Sequence, residues 1–386
     1  MSKNFDVIVV GGGIVGAACA VECARASLKV LVLDRGPVGG GTTGAGMGHL
    51  VVMDDSEAQF ALTSYSRRLW QELTDELPAD VEYDQCGTLW LAADEDEMLE
   101  VHRKQRSYAA HGVKVEVLDA SAVSEAEPNL RQGMAGGLRV VEDAVLYPPC
   151  AARFLLEQAM RLGAELRTGV AVHSLLAEGG VSLNDGSTIS AGISVNATGP
   201  WSPELTRGLP VRKRKGHLVI TDRYPGYVHH QIVELGYLKS AHSLGRDSVA
   251  FNIQPRKNGQ MLLGSSRQFD ASDTSVEQPI LNRMLLRAGE YLPSLGELSA
   301  LRTWTGHRAA TPDKLPIIGP SASYPRIWLA TGHEGLGITT SLATGRLLAD
   351  LLLKRKGELG PEPYLPARFA ASTISANHEC TTHNSH

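Results

Sequence analysis

Hydrophobic positions along the chain follow two regimes. The segment FDVIVV, residues 5–10, is continuously apolar after Asp6, as a strand buried on both faces of a parallel sheet should be. The run KVLVLD, 29–34, reads the same way, and the small-residue stretch between the two reads as a helix. Near the C-terminus, RIWLATGHEGLGITTSLATGRLLADLL, 326–352, again reads as strand, glycine turn and small-residue helix. Residues 77–146 and 209–308 differ. There, short apolar runs such as TLWLA, HLVI and QMLLG sit between turn signals, which predicts short strands. PPCAARFLLEQAMRLGAEL, 148–166, predicts a helix with a proline start and a glycine stop, followed by one strand, LRTGVAVHSL. Residues 366–386 are polar and lack periodicity, which predicts a disordered tail. No internal repeat is evident.

Bulk properties narrow the picture. At 386 residues the chain suggests two domains. A net charge of −5 gives no reason to expect nucleic acid or an anionic membrane as partner. No apolar run reaches the roughly 18 residues needed to span a bilayer. MSKNF leads straight into a strand, without the parts of a signal peptide. The five cysteines include no CxxC pair, so a zinc site or iron–sulfur cluster in this chain is not expected. Cys19 and Cys23, one helical turn apart, read as small core residues. The expectation is a reduced, cytoplasmic protein.

The chemistry begins at the first turn. Gly11, Gly13 and Gly16 give the GxGxxG spacing between strand and helix. Gly11 permits the tight turn, Gly13 leaves room for a pyrophosphate, and Gly16 lets helix and strand approach. The helix N-terminus offers N–H groups and a positive dipole end to phosphate. The second strand ends at Asp34, placed to bind a ribose. The dinucleotide is NAD or FAD. The loop GPVGGGTTGAGMGHLVV, 36–52, is long and glycine-rich; it can wrap an extended ligand or be a flexible surface loop. The second glycine turn, Gly332, Gly335 and Gly337, points to a cofactor with two polar ends, whose reduced ring a helix dipole could stabilise. A single NAD has no need of it.

Taken in order, GGGIVG with Asp34, TTGAGMGHL, NATGPW, TGHRAATPDKLPIIG and TGHEGLGI resemble the FAD-dependent oxidoreductases of the D-amino-acid oxidase, glycine oxidase and sarcosine oxidase type, over residues 5–365. Within that family, GHEGLGITT and CGTLWLA look most like the FAD subunit of heteromeric dehydrogenases of D-hydroxyproline, opines and proline. The resemblance implies an α/β chain with a discontinuous Rossmann-like FAD-binding domain of the glutathione reductase topology, from residues 1–76, 147–208 and 309–365. Residues 77–146 and 209–308 would form an α+β substrate domain with a mainly antiparallel sheet.

Carried over by position, Gly11, Gly13, Ile14, Val15 and Gly16 would face the FAD pyrophosphate, Asp34 the adenosine ribose, with Arg35 beside it. Thr42 and Thr43 would reach phosphate or ribityl oxygens, and the Val170 backbone would meet the adenine. Ala197, Gly199 and Trp201 would let the chain pass close to the cofactor. Gly48, His49 and Leu50 would run near the flavin, and Gly332, Gly335, Leu336, Gly337, Ile338 and Thr339 would line it. Arg308 would grip a substrate carboxylate with two parallel hydrogen bonds. His49 is either a polar contact to substrate or flavin or a hydrogen-bonded structural residue. Glu334 either meets the substrate's amine or hydroxyl or caps the following helix. Asn252 and Ala250 stand near where glycine oxidase-like sites carry tyrosine and histidine, which leaves room for a bulkier ring. The run RKRK, Arg212 to Lys215, is a solvated strand end or a docking point for a partner subunit or a second flavin phosphate.

The implied reaction oxidises a C–N bond of a small amino or imino acid, with hydride leaving Cα for flavin N5 and D-hydroxyproline or D-proline in first place. Electrons would pass to a quinone or to partner subunits carrying a second flavin or an iron–sulfur cluster. The alternatives are an oxygen-using glycine, sarcosine or D-amino-acid oxidase, an opine oxidase subunit, a flavoprotein acting on a hydroxy acid, and a non-catalytic FAD-bearing scaffold. Oligomeric forms are open.

Overall fold

Two large sheets carry the two hydrophobic regimes. The computed structural model describes residues 5–236, 247–269 and 271–369. The first sheet runs in the order β18 (Ile317–Pro320), β19 (Ile327–Thr331), β12 (Ala191–Asn196), β1 (Phe5–Val10), β2 (Val30–Asp34), β8 (Glu165–Thr168). All its pairings are parallel except β18 with β19. β1 is central. Val7–Val10 pair with Val30–Leu33 on one side and with Ile193–Asn196 on the other, and all four residues are buried. This is why the segment is apolar without alternation. A small sheet, β11 (Thr188–Ile189), β10 (Val181–Leu183), β9 (Val172–Leu175), packs beside it.

The first helix, Ile14–Arg25, lies against the sheet. A Cβ on Gly16 would stand 1.9 Å from the Gly11 carbonyl oxygen, so only glycine allows this approach. Cys19 and Cys23 are buried in its core face, and burial pushes the Cys23 thiol up to about 12. The last helix, Gly337–Leu352, crosses the first where a Cβ on Gly345 would stand 2.5 Å from the Ala18 carbonyl oxygen.

The second sheet has eight strands, in the order β17 (Ala300–Ala310), β13 (Arg212–Thr221), β16 (Met261–Phe269), β15 (Ser248–Pro255), β14 (Gln231–Glu234), β4 (Thr88–Ala92), β6 (Gly136–Val140), β5 (Val115–Asp119). Every pairing is antiparallel except β14 with β4. The helix Gln278–Tyr291 covers one face, with Leu281, Met284 and Ala288 against Phe251, Ile253 and Leu263. The other face turns toward the loop 36–52, which ends in β3 (His49–Leu50), paired with β7 (Ala144–Val145).

Three sequence expectations change. LRTGVAVHSL is two strands, β8 and β9, in different sheets, because Gly169 at φ 73° breaks the run. The expected tail at 366–386 starts too early: Pro366–Phe369 form a 3₁₀ turn, and Arg368 reaches Asp313 at 2.6 Å; residues 370–386 lie outside the described residues. The RKRK run is not a solvated strand end. Arg212 is exposed, but Arg214 and Lys215 are buried on opposite faces of β13.

Candidate active site

The turn after β1 and the loop 36–52 interlock before any ligand is considered. The Asp34 carboxylate accepts from the Gly12 N–H at 2.6 Å and from the Gly36 N–H at 2.7 Å. Thr43 Oγ1 accepts from the Ile14 N–H at 3.0 Å and so caps the first helix, whose N-cap residue Gly13 offers no side chain. Thr42 donates to the His307 carbonyl at 2.8 Å and ties the loop to β17 beside Arg308. The Val170 N–H donates to the Asp34 carbonyl at 2.9 Å, and the Arg35 guanidinium stands 4.8 Å over the Trp201 ring.

A cavity of about 960 Å³ opens between this region and the large sheet. It is lined by Gly11, Gly13, Ile14, Val15, Asp34 and Arg35 at one end, with Thr42 and Thr43, Val170, and Ala197, Gly199 and Trp201 around it. Gly48, His49, Gly335, Leu336, Gly337 and Ile338 line its middle. Gly16, Leu50, Gly332 and Thr339 stand behind the wall instead. Thr339 braces it, donating to the His49 carbonyl at 2.8 Å and accepting from the Val51 N–H at 3.3 Å.

The large sheet supplies the far wall through its period of two. On β13, Arg214, Gly216 and Leu218 face the cavity; on β17, Arg302, Trp304, Gly306 and Arg308 do. The Arg308 guanidinium reaches over β13 to donate to the Ser266 carbonyl at 3.0 Å. A Cβ on Gly216 would stand 2.5 Å from Arg308 Nη1, and one on Gly335 would stand 3.3 Å from Arg308 Cδ. Two glycines thus leave the channel in which Arg308 lies. Arg214 is paired with Glu334, while Arg267, Arg302 and Arg308 give this wall a cationic character that suits an anionic ligand.

Glu334, at φ 50°, forms an ion pair with Arg214. It does not cap the last helix, whose N-cap, Leu336, has no side-chain hydrogen bond, so the capping reading is withdrawn. His49 Nε2 is buried with no partner among the described residues. Burial pushes this imidazole down to about 4; Gln254 beside it works in the opposite sense, and the Arg308 charge adds to the lowering. That bare nitrogen argues against a fully hydrogen-bonded structural histidine. His333, within the turn 332–339 expected to line the flavin, also lines the cavity, and burial pushes it down to about 3. Its tautomer is fixed. Thr344 Oγ1 donates to the Thr340 carbonyl at 2.8 Å, so it must accept from His333 Nε2–H at 3.0 Å, which leaves Nδ1 as the acceptor.

These features match known proteins. The family profile described as FAD dependent oxidoreductase (DAO) matches residues 6–351. The chain belongs to this family. Among curated relatives, the oxidoreductase is 30% identical to a glycine oxidase of Pseudomonas aeruginosa over 94% of this chain and 98% of that one. It is 29% identical to the hydrogen cyanide synthase subunit HcnC of the same organism, over 96% of this chain and 97% of that one. Among solved structures, an L-proline dehydrogenase from P. horikoshii aligns with a TM-score of 0.87 and 25% identity, covering 96% of this chain and 99% of that one. The protein is thus an FAD-dependent enzyme with a Rossmann-like FAD-binding domain and a substrate domain.

The residues present fit FAD. The glycine turn at 11–16 and the second turn at 332–337 meet one cavity from two sides, with a volume near the top of the roughly 300–1,000 Å³ usual for ligand pockets. Arg214, Trp90, Gln231 and Ser265 line the same cavity and were missed in the sequence. For Arg214 the signal existed. Alternation along RKRKGHL puts 214, 216 and 218 on one face, but the run was read as one block of charge.

Proposed function

We propose that this oxidoreductase oxidises the C–N bond of a small amino or imino acid, D-hydroxyproline and D-proline foremost, to the imine. We further propose that the electrons go to a partner subunit or quinone. The observation that supports the reading is Arg308, laid over Gly216 into a cavity bounded by both glycine turns. A planar guanidinium there can take a carboxylate through paired hydrogen bonds and fix the neighbouring Cα. FAD, when bound, supplies the two-electron acceptor. We assign the turn at Gly11, Gly13 and Ile14, with Asp34, to the dinucleotide end, and Gly48, His49, Leu336 and Gly337 to the ring end. His49 and His333, held down to about 4 and about 3, are too weakly basic to take a proton from an ammonium group. In this reading they hold the substrate by hydrogen bonds, the amine loses its proton to solvent, and alignment does most of the work. Glu334, anchored by Arg214, is placed to accept from the amine N–H.

The test is anaerobic mixing of the yellow holoenzyme with D-hydroxyproline, D-proline, L-proline, glycine, sarcosine and an opine, following flavin absorbance. Rapid bleaching by a D-imino acid with slow recovery in air supports the proposal. Fast recovery in air makes the protein an oxidase instead, and no bleaching by any of them overturns the substrate class.

A further inference from the structure

Four buried polar atoms on the substrate-facing wall have no hydrogen-bond partner among the described residues: Trp90 Nε1, Gln231 Oε1, Asn252 Oδ1 and Ser265 Oγ. Their residues are 3%, 2%, 7% and 4% exposed, and all four line the cavity. Native proteins leave few buried polar groups unsatisfied, and such a cluster facing a cavity marks a place for a ligand.

The register brings three of them together. Val233 on β14 pairs with Trp90 on β4 and with Asn252 on β15, and Gln231 pairs with Thr88. Gln231 therefore lies diagonally between Trp90 and Asn252 on one face, roughly 7–8 Å from each at the backbone and within reach of long side chains. Val233 supplies an apolar floor between them.

The sense of the Gln231 amide is fixed from behind. The buried Asp143 carboxylate is ion-paired with Arg67 at 3.1 Å and accepts from the Thr88 hydroxyl at 2.7 Å. With its proton used there, Thr88 Oγ1 must accept from Gln231 Nε2, at 3.3 Å. The amide oxygen is left toward the cavity. The wall thus presents one obligate donor, Trp90 N–H, and an obligate acceptor, Gln231 Oε1, with Asn252 and Ser265 nearby.

A carboxylate cannot satisfy Gln231 Oε1, and an ammonium cannot satisfy Trp90 N–H. A hydroxyl satisfies both, because it donates once and accepts through its lone pairs. The substrate amine is excluded by position: it sits one carbon from the carboxylate on Arg308, whose guanidinium ends at β16, whereas β14 lies two strands away, about 10 Å at the usual spacing.

We infer that Trp90, Gln231 and Asn252 form a distal subsite that reads a hydroxyl on the substrate ring or side chain, so that a hydroxylated acid is selected over its deoxy analogue. This rests on the assignment of Arg308 to the carboxylate.

The test separates the subsite from the chemistry by using acids that contain no nitrogen and cannot be oxidised as amines. Wild-type holoenzyme is titrated calorimetrically with cyclopentanecarboxylate and with each stereoisomer of 3-hydroxycyclopentanecarboxylate. One hydroxylated isomer should bind roughly tenfold or more tighter than the plain acid, since a site built for a hydroxyl discriminates strongly against its loss. Trp90→Phe removes the indole N–H together with one ring, and Gln231→Met keeps the length of the side chain while removing its whole amide; each should erase most of that ratio. Equal affinity in the wild type, no binding of either acid, or an unaltered ratio in both variants overturns the inference. If the hydroxyl preference is measured while no amino or imino acid bleaches the flavin, the subsite stands and the proposed reaction falls.

Discussion

Arg308 is positioned by what its neighbours lack. Because a Cβ on Gly216 would stand 2.5 Å from Nη1, the far end of a flexible side chain, Gly216→Ala should fold normally but push the guanidinium aside. The expected result is an unchanged melting temperature, retained FAD, and a KM for the best amino-acid substrate raised roughly tenfold, as befits loss of part of a charge-assisted hydrogen bond. Arg308→Ala removes the group altogether, and loss of one partner of a buried charged pair costs about 2–5 kcal/mol, so KM should rise by at least roughly thirtyfold. Steady-state kinetics with a flavin-to-protein absorbance ratio checks both; an unchanged KM in either variant contradicts the assignment. Arg308 was legible in the sequence because a recognisable motif surrounds it. Gly216 was not, although a glycine inside a strand signals close approach. For His333 the place along the flavin turn was legible, but not its burial, which is what holds it neutral.

Elements buried on both faces were the easiest to read. Apart from Asp6 and Asp34, FDVIVV and VLVLD are apolar because both faces of their sheet are covered, one by helices and the other by the small sheet β9–β11, and the turn that follows carries its own glycine spacing. The order of the eight-stranded sheet was not legible. It joins β4 to β14 and β17 to β13 across long stretches of chain, and nothing local encodes such pairings. The break at Gly169 was hidden by the apolar run Val170–Val172 that follows it. At this scale the loop 36–52 acts as a helix cap as much as a ligand wrap. Thr43→Val removes the acceptor for the Ile14 N–H and should destabilise the protein by about 1 kcal/mol. Thermal unfolding with and without added FAD tests this: the deficit should persist in the apoprotein, whereas a deficit seen only with FAD would mean that Thr43 serves the ligand alone.

Across the whole molecule, pH dependence follows from groups that folding holds neutral. His49 and His333 are pushed down to about 4 and about 3 from an ordinary value of 6.5. Between those values the unfolded chain binds protons that the folded one does not, so stability falls as pH drops below about 6.5. Asp143, pushed up to about 6 by burial, works the other way, gaining its proton earlier in the folded state, and offsets part of the loss. The melting temperature should be lower at pH 5 than at pH 7, and His333→Asn should narrow the gap; an equal or higher value at pH 5 would show that the histidines do not dominate. One further consequence concerns the order in which the chain is made. β1 and its glycine turn are made before the elements that support them: β1 pairs with β12, and the first helix packs at Gly345 of the last. A nascent chain short of Gly337 therefore holds its dinucleotide motif without the last helix, and a chain stopped there should carry no flavin. Loading with cofactor belongs after translation, and a cell short of FAD would accumulate finished but empty protein rather than stalled chains.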